Sequence, residues 1–260
     1  MKKRPATKSR PKATRHKNLC FTELLSRDPE LSALRTGHAQ KPARTRRAAA
    51  EWAYDASISD SLFGAALARL PGEGLPPPRW PPGFAALAID PEYAPALLTV
   101  GCYEHRYGHK TEGLSLLLRL TRLSPKTKDW IKILDKAGQA LMDSGDAAGT
   151  RRLYEAALET SPNEQEFVIG LGWALARAGK KKAALPWLER AAANDPKSYE
   201  ALNDFGWGLA ELGRFDEAQK ALEKAVRLAP ADYDLPANNL ERVRQLQKKS
   251  PSRKKARKIQ

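Results

Sequence analysis

The chain has 260 residues, 29% of them charged, and a formal net charge of +15. Its 42% hydrophobic content supports a folded body, but no run of 18 apolar residues occurs, so composition offers no membrane-spanning helix. Two cysteines, Cys20 and Cys102, cannot build a disulfide framework, and a reducing, cytoplasmic setting is the expected one.

The positive charge sits at the ends. Met1 to Lys17 holds eight Lys or Arg and no acid, and so does Arg244 to Gln260. The remaining body is near neutral. Residues 1–17 are expected to be a disordered basic arm, because like charges repel and little apolar surface is available to bury. They lack the apolar segment of a secretory signal. Pro5, Pro11 and the missing apolar helical face argue against an organelle transit peptide.

Residues 18–91 read as a helical extension. Short helices are expected at Cys20 to Leu25 and at Pro29 to Leu34, with a linker over 36–44 containing Gly37 and Pro42. Arg46 to Leu70 then forms one kinked helix or two, with Trp52, Ile58, Leu62, Phe63 and Leu67 on its apolar face. Pro71 to Gly83 contains six prolines and excludes both helix and central strand. It reads as a stiff connector with polyproline II character. A degenerate repeat over 60–91, with this loop inserted, is a further expectation.

A period follows. Pro196 and Pro230 are 34 residues apart, as are Gly172 and Gly206, and Trp173 and Trp207. The last full copy has Leu202, Phe205, Gly206, Leu209, Ala218, Leu222, Ala225 and Pro230. The one before has Val168, Leu171, Gly172, Leu175, Ala184, Leu188, Ala191 and Pro196. Earlier copies carry Leu134, Ala137, Gly138, Leu141, Thr150, Tyr154, Ala157 and Pro162, and Leu97, Val100, Gly101, Glu104, Gly113, Leu117, Leu120 and Pro125. Thr150, Glu104 and Gly113 are the weaker matches. Gly108, Gly145, Gly179 and Gly213 fall in the turns between paired helices. The Pro125 to Pro162 interval is three residues too long, and the excess is placed in Lys126 to Trp130. Asn163 and Glu166 have the spacing of a capping box.

This pattern resembles the tetratricopeptide repeat family, whose signature is a 34-residue helix–turn–helix with these small, aromatic and proline positions. The resemblance covers about residues 92–232. It implies an all-α, right-handed α-solenoid of about four helix pairs near 94–125, 131–162, 165–196 and 199–230. A capping helix over 233–249 and a flexible basic tail over 250–260 complete the expectation. Leu235, Leu240, Val243 and Leu246 are the cap's apolar stripe.

By the family's register, the residues beside the packing glycines turn toward an inner groove. Candidate peptide-binding residues are Trp173, Trp207, Glu166, Arg177, Glu200, Asn203, Asp204, Lys136 and Gln139. Leu98, Cys102, His105 and Arg106 are the matching positions in the first copy, and Asp135 and Glu211 join the set. For Trp173 and Trp207, ordinary core packing is weighed against groove exposure. Trp187 reads as core or outer-surface packing. One subclass grips a peptide carboxylate with Lys, Asn and Arg. Asp135, Gln139, Gly170, Glu200 and Asp204 do not reproduce that clamp. A groove for a basic or mixed-charge peptide is expected instead.

No enzyme argument emerges. His105 and His109 are four apart, but a turn intervenes, and no metal shell or cofactor motif is complete. Cys102 and His105 lack an orienting third group. The leading expectation is a non-catalytic protein-interaction module or adaptor with a protein or peptide ligand. The alternative is a nucleic-acid or anionic-surface protein acting through its ends, Lys2, Lys3 and Arg4 on one side and Arg253, Lys254, Lys255, Arg257 and Lys258 on the other. Such arms bind phosphates through counterion release.

Overall fold

The computed structural model describes residues 20–67, 83–107 and 109–249. Both basic arms, most of the proline segment and Gly108 lie outside these. Every regular element among the described residues is helical. The chain divides into two units, residues 1–91 and 92–260.

The first unit contains α1 (Phe21–Arg27), α2 (Pro29–Ala39), α3 (Ala43–Leu67) and α4 (Phe84–Ile89). Asp28 separates the first two. Its side chain accepts from the backbone N–H of Glu30 and Leu31, and Pro29 fills the first helical position, where no N–H is needed. The expected 36–44 linker is largely absent. Helix α2 runs through Gly37 to Ala39, and α3 begins at Ala43. Phe21, Leu24, Leu31, Ala50, Phe84 and Leu87 are buried, with Phe21 edge-on to Phe84 at 5.1 Å. Arg47 donates to Asp90 at 2.6 Å. Trp52 is not on an apolar face: it is 75% exposed.

The second unit is an α-solenoid of helix pairs: α5 (Ala94–Arg106) with α6 (Lys110–Arg119), α7 (Trp130–Asp143) with α8 (Ala147–Thr160), α9 (Gln165–Arg177) with α10 (Lys181–Asn194), and α11 (Tyr199–Glu211) with α12 (Phe215–Leu228). Helix α13 (Leu235–Lys249) packs on α11 and α12. Three pairs turn the same way. Gly145, Gly179 and Gly213 sit at φ of 79°, 75° and 77°, where a side chain would be strained. The next N–H in each turn reaches back to Leu141, Leu175 or Leu209. These bonds satisfy carbonyls the helix end would leave orphaned. His109 N–H to Glu104 O is the equivalent bond in the first pair.

Within each pair the helices touch at glycine. A Cβ on Gly172 would meet Leu188, and one on Gly206 would meet Leu222. The extra residues before α7 lie in the turn after Leu120–Arg122. Buried Trp130 closes that turn by donating its Nε1–H to Leu120 O at 2.9 Å. Glu104 and Gly113 are structural necessities rather than lapses in the pattern. Glu104 is buried and bonded to His109 Nδ1 at 2.5 Å. A Cβ on Gly113 would collide with the backbone nitrogen of His105.

Three further expectations need correction. Helix α9 is capped at Glu164 without a side-chain cap, so Asn163 and Glu166 form no capping box. Asn163 accepts from Arg190 instead. In α13, Leu240 and Val243 are buried, but Leu235 and Leu246 are 46% and 39% exposed, because only one side of the helix meets α11 and α12. His105 does not line the groove that its register suggested. It is buried, with Nε2 3.0 Å from Asp146 Oδ2.

Because the obstacle at Gly113 is backbone rather than a movable side chain, Gly113→Ala should destabilise the chain by about 1–3 kcal/mol or more in urea unfolding. Exposed Ser115→Ala on the same helix should stay within about 0.5 kcal/mol of the parent.

Candidate functional site

The first helices of successive pairs, α7, α9 and α11, carry the polar residues singled out in the sequence. In α9, Phe167, Val168, Leu171, Gly172 and Leu175 are buried, so Trp173 and Arg177 are left on the open side, one turn apart. In α11, burial of Leu202, Gly206 and Leu209 leaves Glu200, Asp204, Trp207 and Glu211 on the equivalent side.

The two tryptophans meet across a repeat boundary. Trp173 is 38% exposed, and its Nε1–H donates to Asp204 Oδ2 at 2.9 Å. Trp207 is half-buried, with the Arg242 guanidinium of α13 over its ring at 5.3 Å. Between them opens a recess of about 200 Å³ whose walls include Trp173, Arg177, Asp204, Trp207 and Gly208, with Leu188 at its apolar base. Lys181 and Glu211 form an ion pair of 3.4 Å among its lining residues. So the tryptophans are neither wholly core nor freely exposed.

Carboxylates dominate the rest of this face. Burial, with Glu200 adding repulsion, pushes Asp204 up to about 6 against the hydrogen bonds from Trp173 and Asn203. Glu164 is pushed up to about 7, first by its hydrogen bond with Glu166 and then by burial. Burial also raises Asp135, which accepts from Gln139 at 2.6 Å and from the Tyr154 hydroxyl at 3.0 Å. Glu166 and Glu200 occupy the first turns of α9 and α11, and Arg177 the last turn of α9. On α9 and α11 the face is therefore acidic toward the helix starts, in the sense the helix dipole favours, whereas α7 has no acid in its first turn.

Of the residues expected to line a groove, Trp173, Arg177, Asp204 and Trp207 share the recess. Glu166, Glu200, Lys136 and Gln139 are exposed on the same three helices. Asn203 is different. It is buried and bridges helices, accepting from Asn239 Nδ2 at 2.9 Å. Lys181, Gly208 and Arg242 are additions that the sequence reading missed. Arg242 lies 35 residues beyond Trp207, and Asn239 lies 36 beyond Asn203, both off the 34-residue period, so the repeat pattern does not point to them.

Nucleophilic chemistry is poorly served. Burial pushes the Cys102 thiol up to about 11, and His105 is engaged by Asp146. Among the described residues, no group of three or more His, Cys, Asp or Glu is placed to hold a metal ion. No described helix is long and apolar enough to cross a membrane. Trp187 packs on its own helix, under the Arg190 guanidinium at 5.6 Å.

Two family models described as tetratricopeptide repeat match this chain, over residues 136–199 and 199–232. Among solved structures, similarity extends to the Sgt2 TPR domain from Aspergillus fumigatus, at 22% identity, a TM-score of 0.43 and coverage of 47% of this chain and 79% of that one. The first TPR of Spaghetti (RPAP3), bound to the HSP90 peptide SRMEEVD, is 20% identical with a TM-score of 0.41, over 44% and 90%. A MamA crystal structure is 16% identical with a TM-score of 0.48, over 70% and 91%. No curated protein matches the sequence.

The raised value of Asp204 has a definite sign. The folded chain holds that proton more tightly than the unfolded chain, so the contribution is complete below about pH 4 and is lost as pH rises through about 6. Asp204→Asn, which keeps an acceptor for Trp173, should stabilise the fold at pH 8 by on the order of 1–2 kcal/mol. The gain should vanish near pH 4, as read by urea unfolding at both values.

Proposed function

The chain belongs to the tetratricopeptide repeat family, with the match carried by residues 136–232, and we propose that it is a non-catalytic adaptor that binds a peptide or helix along the face of α7, α9 and α11. The observation that carries this reading is the recess shared by Trp173 and Trp207. Aromatic side chains left partly exposed beside charged groups, at a concave site, are typical anchors of binding energy.

Two features fit. The groove wall is set by packed helices rather than loops, so a ligand meets a preformed surface and loses less affinity to ordering. The charges are mixed, with acids at the helix starts and Arg177 and Lys181 farther on. That arrangement supports a mixed-charge or basic peptide better than a strongly acidic one.

The reading separates from binding by the basic ends. Peptide binding by the face should survive deletion of residues 1–17 and 250–260 and tolerate moderate salt, whereas phosphate contacts would collapse with salt. Trp173→Ala with Trp207→Ala should weaken ligand binding at least about tenfold while helicity is retained. Photo-crosslinkers at positions 139 and 177 should capture the ligand, and those at exposed Lys224 and Arg227 of α12 should not. Undiminished binding by the folded double variant would remove the proposal.

A further inference from the structure

We propose that the recess between Trp173 and Trp207 receives an arginine side chain from a basic segment of a protein partner. The inference rests on the groove reading above and adds the chemistry of its central contact.

Three observations converge. First, the Trp207 ring carries the guanidinium of Arg242 at 5.3 Å, from outside the recess lining, so the chain itself shows this indole stacking with an arginine. A planar guanidinium stacks on an indole and is weakly hydrated, so it enters a half-buried site more readily than an ammonium. Second, Asp204 lies in the wall of the recess with no ion pair among the described residues. Its Oδ2 accepts from Trp173 Nε1 at 2.9 Å and its Oδ1 from Asn203 Nδ2 at 3.3 Å. Each oxygen keeps a lone pair for a second donor, and a guanidinium fork can supply two. The cost of holding this carboxylate away from water is visible in its rise to about 6. Third, the space suits one long side chain. It is about 200 Å³, and it exists because residue 208 is glycine. A Cβ there would meet Leu188 Cδ1 at 2.8 Å.

The charged neighbours decide the sign. Glu211 is held by Lys181 at 3.4 Å, so that pair is neutral. Glu200, one turn before Asp204, adds negative potential from α11. Arg242 of α13 adds a positive charge over Trp207, and within the lining Arg177, on α9, is the one cation outside the Lys181–Glu211 pair. It should weaken arginine capture, and its removal should strengthen it. An anionic ligand would instead meet Asp204 and Glu200.

The test uses the full chain and a fluorescent, otherwise uncharged peptide bearing one arginine, with citrulline and lysine versions as controls, read by anisotropy at near-physiological salt. The arginine peptide should bind about tenfold tighter than the citrulline peptide, with lysine between them. Asp204→Asn should erase that preference while raising the unfolding midpoint at pH 8. Arg177→Ala should increase it. A merely structural role for Asp204 gives neither that pairing of effects nor the opposite sign at Arg177. Equal binding of arginine and citrulline peptides at a site lost in Trp173→Ala would overturn the arginine assignment and leave the groove standing. Failure of every peptide to bind, with the chain folded, would overturn both. Tighter binding after removal of residues 250–260 would assign the recess to the chain's own basic end and overturn the partner reading.

Discussion

Contact between the two helices of each pair sets everything else. A helix can approach another this closely only where a side chain is missing, and the chain places glycine at that point in every pair. Gly101 faces Leu117, Gly138 faces Tyr154, Gly172 faces Leu188 and Gly206 faces Leu222. Once the glycine is fixed against its partner, the helical period fixes its neighbours. Residue 173 follows Gly172 and must turn away from α10, and residue 207 stands in the same relation to Gly206 and α12. Packing therefore aims the aromatic side chains, Trp173 to the open side and Trp207 partly against the cluster that holds Leu209 and Leu222.

That aim has an electrostatic cost. A carboxylate partly removed from water resists ionisation unless a cation offsets the loss. Asp204 on α11 and Asp135 on α7 show the resistance through burial, and Glu164, the cap of α9, shows it first through its hydrogen bond with Glu166. Contrast Asp146, which is held below the usual carboxylate range although burial alone would raise it, because Gly149 N–H and His105 bond to it. Asp146 is a structural acid, tied into the α7–α8 turn and to α5. Asp204 and Asp135 are compensated by neutral donors, whereas Glu211 on the same face pairs with Lys181. Such perturbed acids gathered on one face fit the ligand-binding reading proposed for it.

The period in the sequence made the helix pairs legible because each repeat must bury the same stripe against its neighbours. Prolines, glycines and small residues recur at 34 residues for that reason. What escaped were interactions with no periodic requirement. Asn163 and Glu166 had cap spacing, but Arg190 of α10 drew Asn163 away, and Glu164 became the cap. Glu104 looked like a lapse because its partner, His109, sits across a turn. Asn203 fitted the groove register, yet α13 covers it and converts a surface amide into a buried bridge. At the site itself, Trp173, Arg177, Asp204 and Trp207 were visible as a helical stripe, whereas Lys181 and Gly208 enter it only through the meeting of two pairs.

Helix α13 shows why cap and site cannot be separated. Leu240 and Val243 join Leu185, Leu209 and Leu222 in one buried cluster, so the helix completes the core that α12 would otherwise expose. In the same register, Asn239 bonds Asn203 and Arg242 stacks on Trp207. A helix that merely shielded apolar surface could carry any polar residues on its other sides. This one behaves as the first helix of a further pair, in phase with α9 and α11, and so continues their polar face as well as their core. Its outer leucines, Leu235 and Leu246, stay exposed for the same reason, since the second helix that would cover them does not follow among the described residues. The tryptophan recess thus sits one repeat inside the last described helix, with Arg242 of that helix over the Trp207 ring.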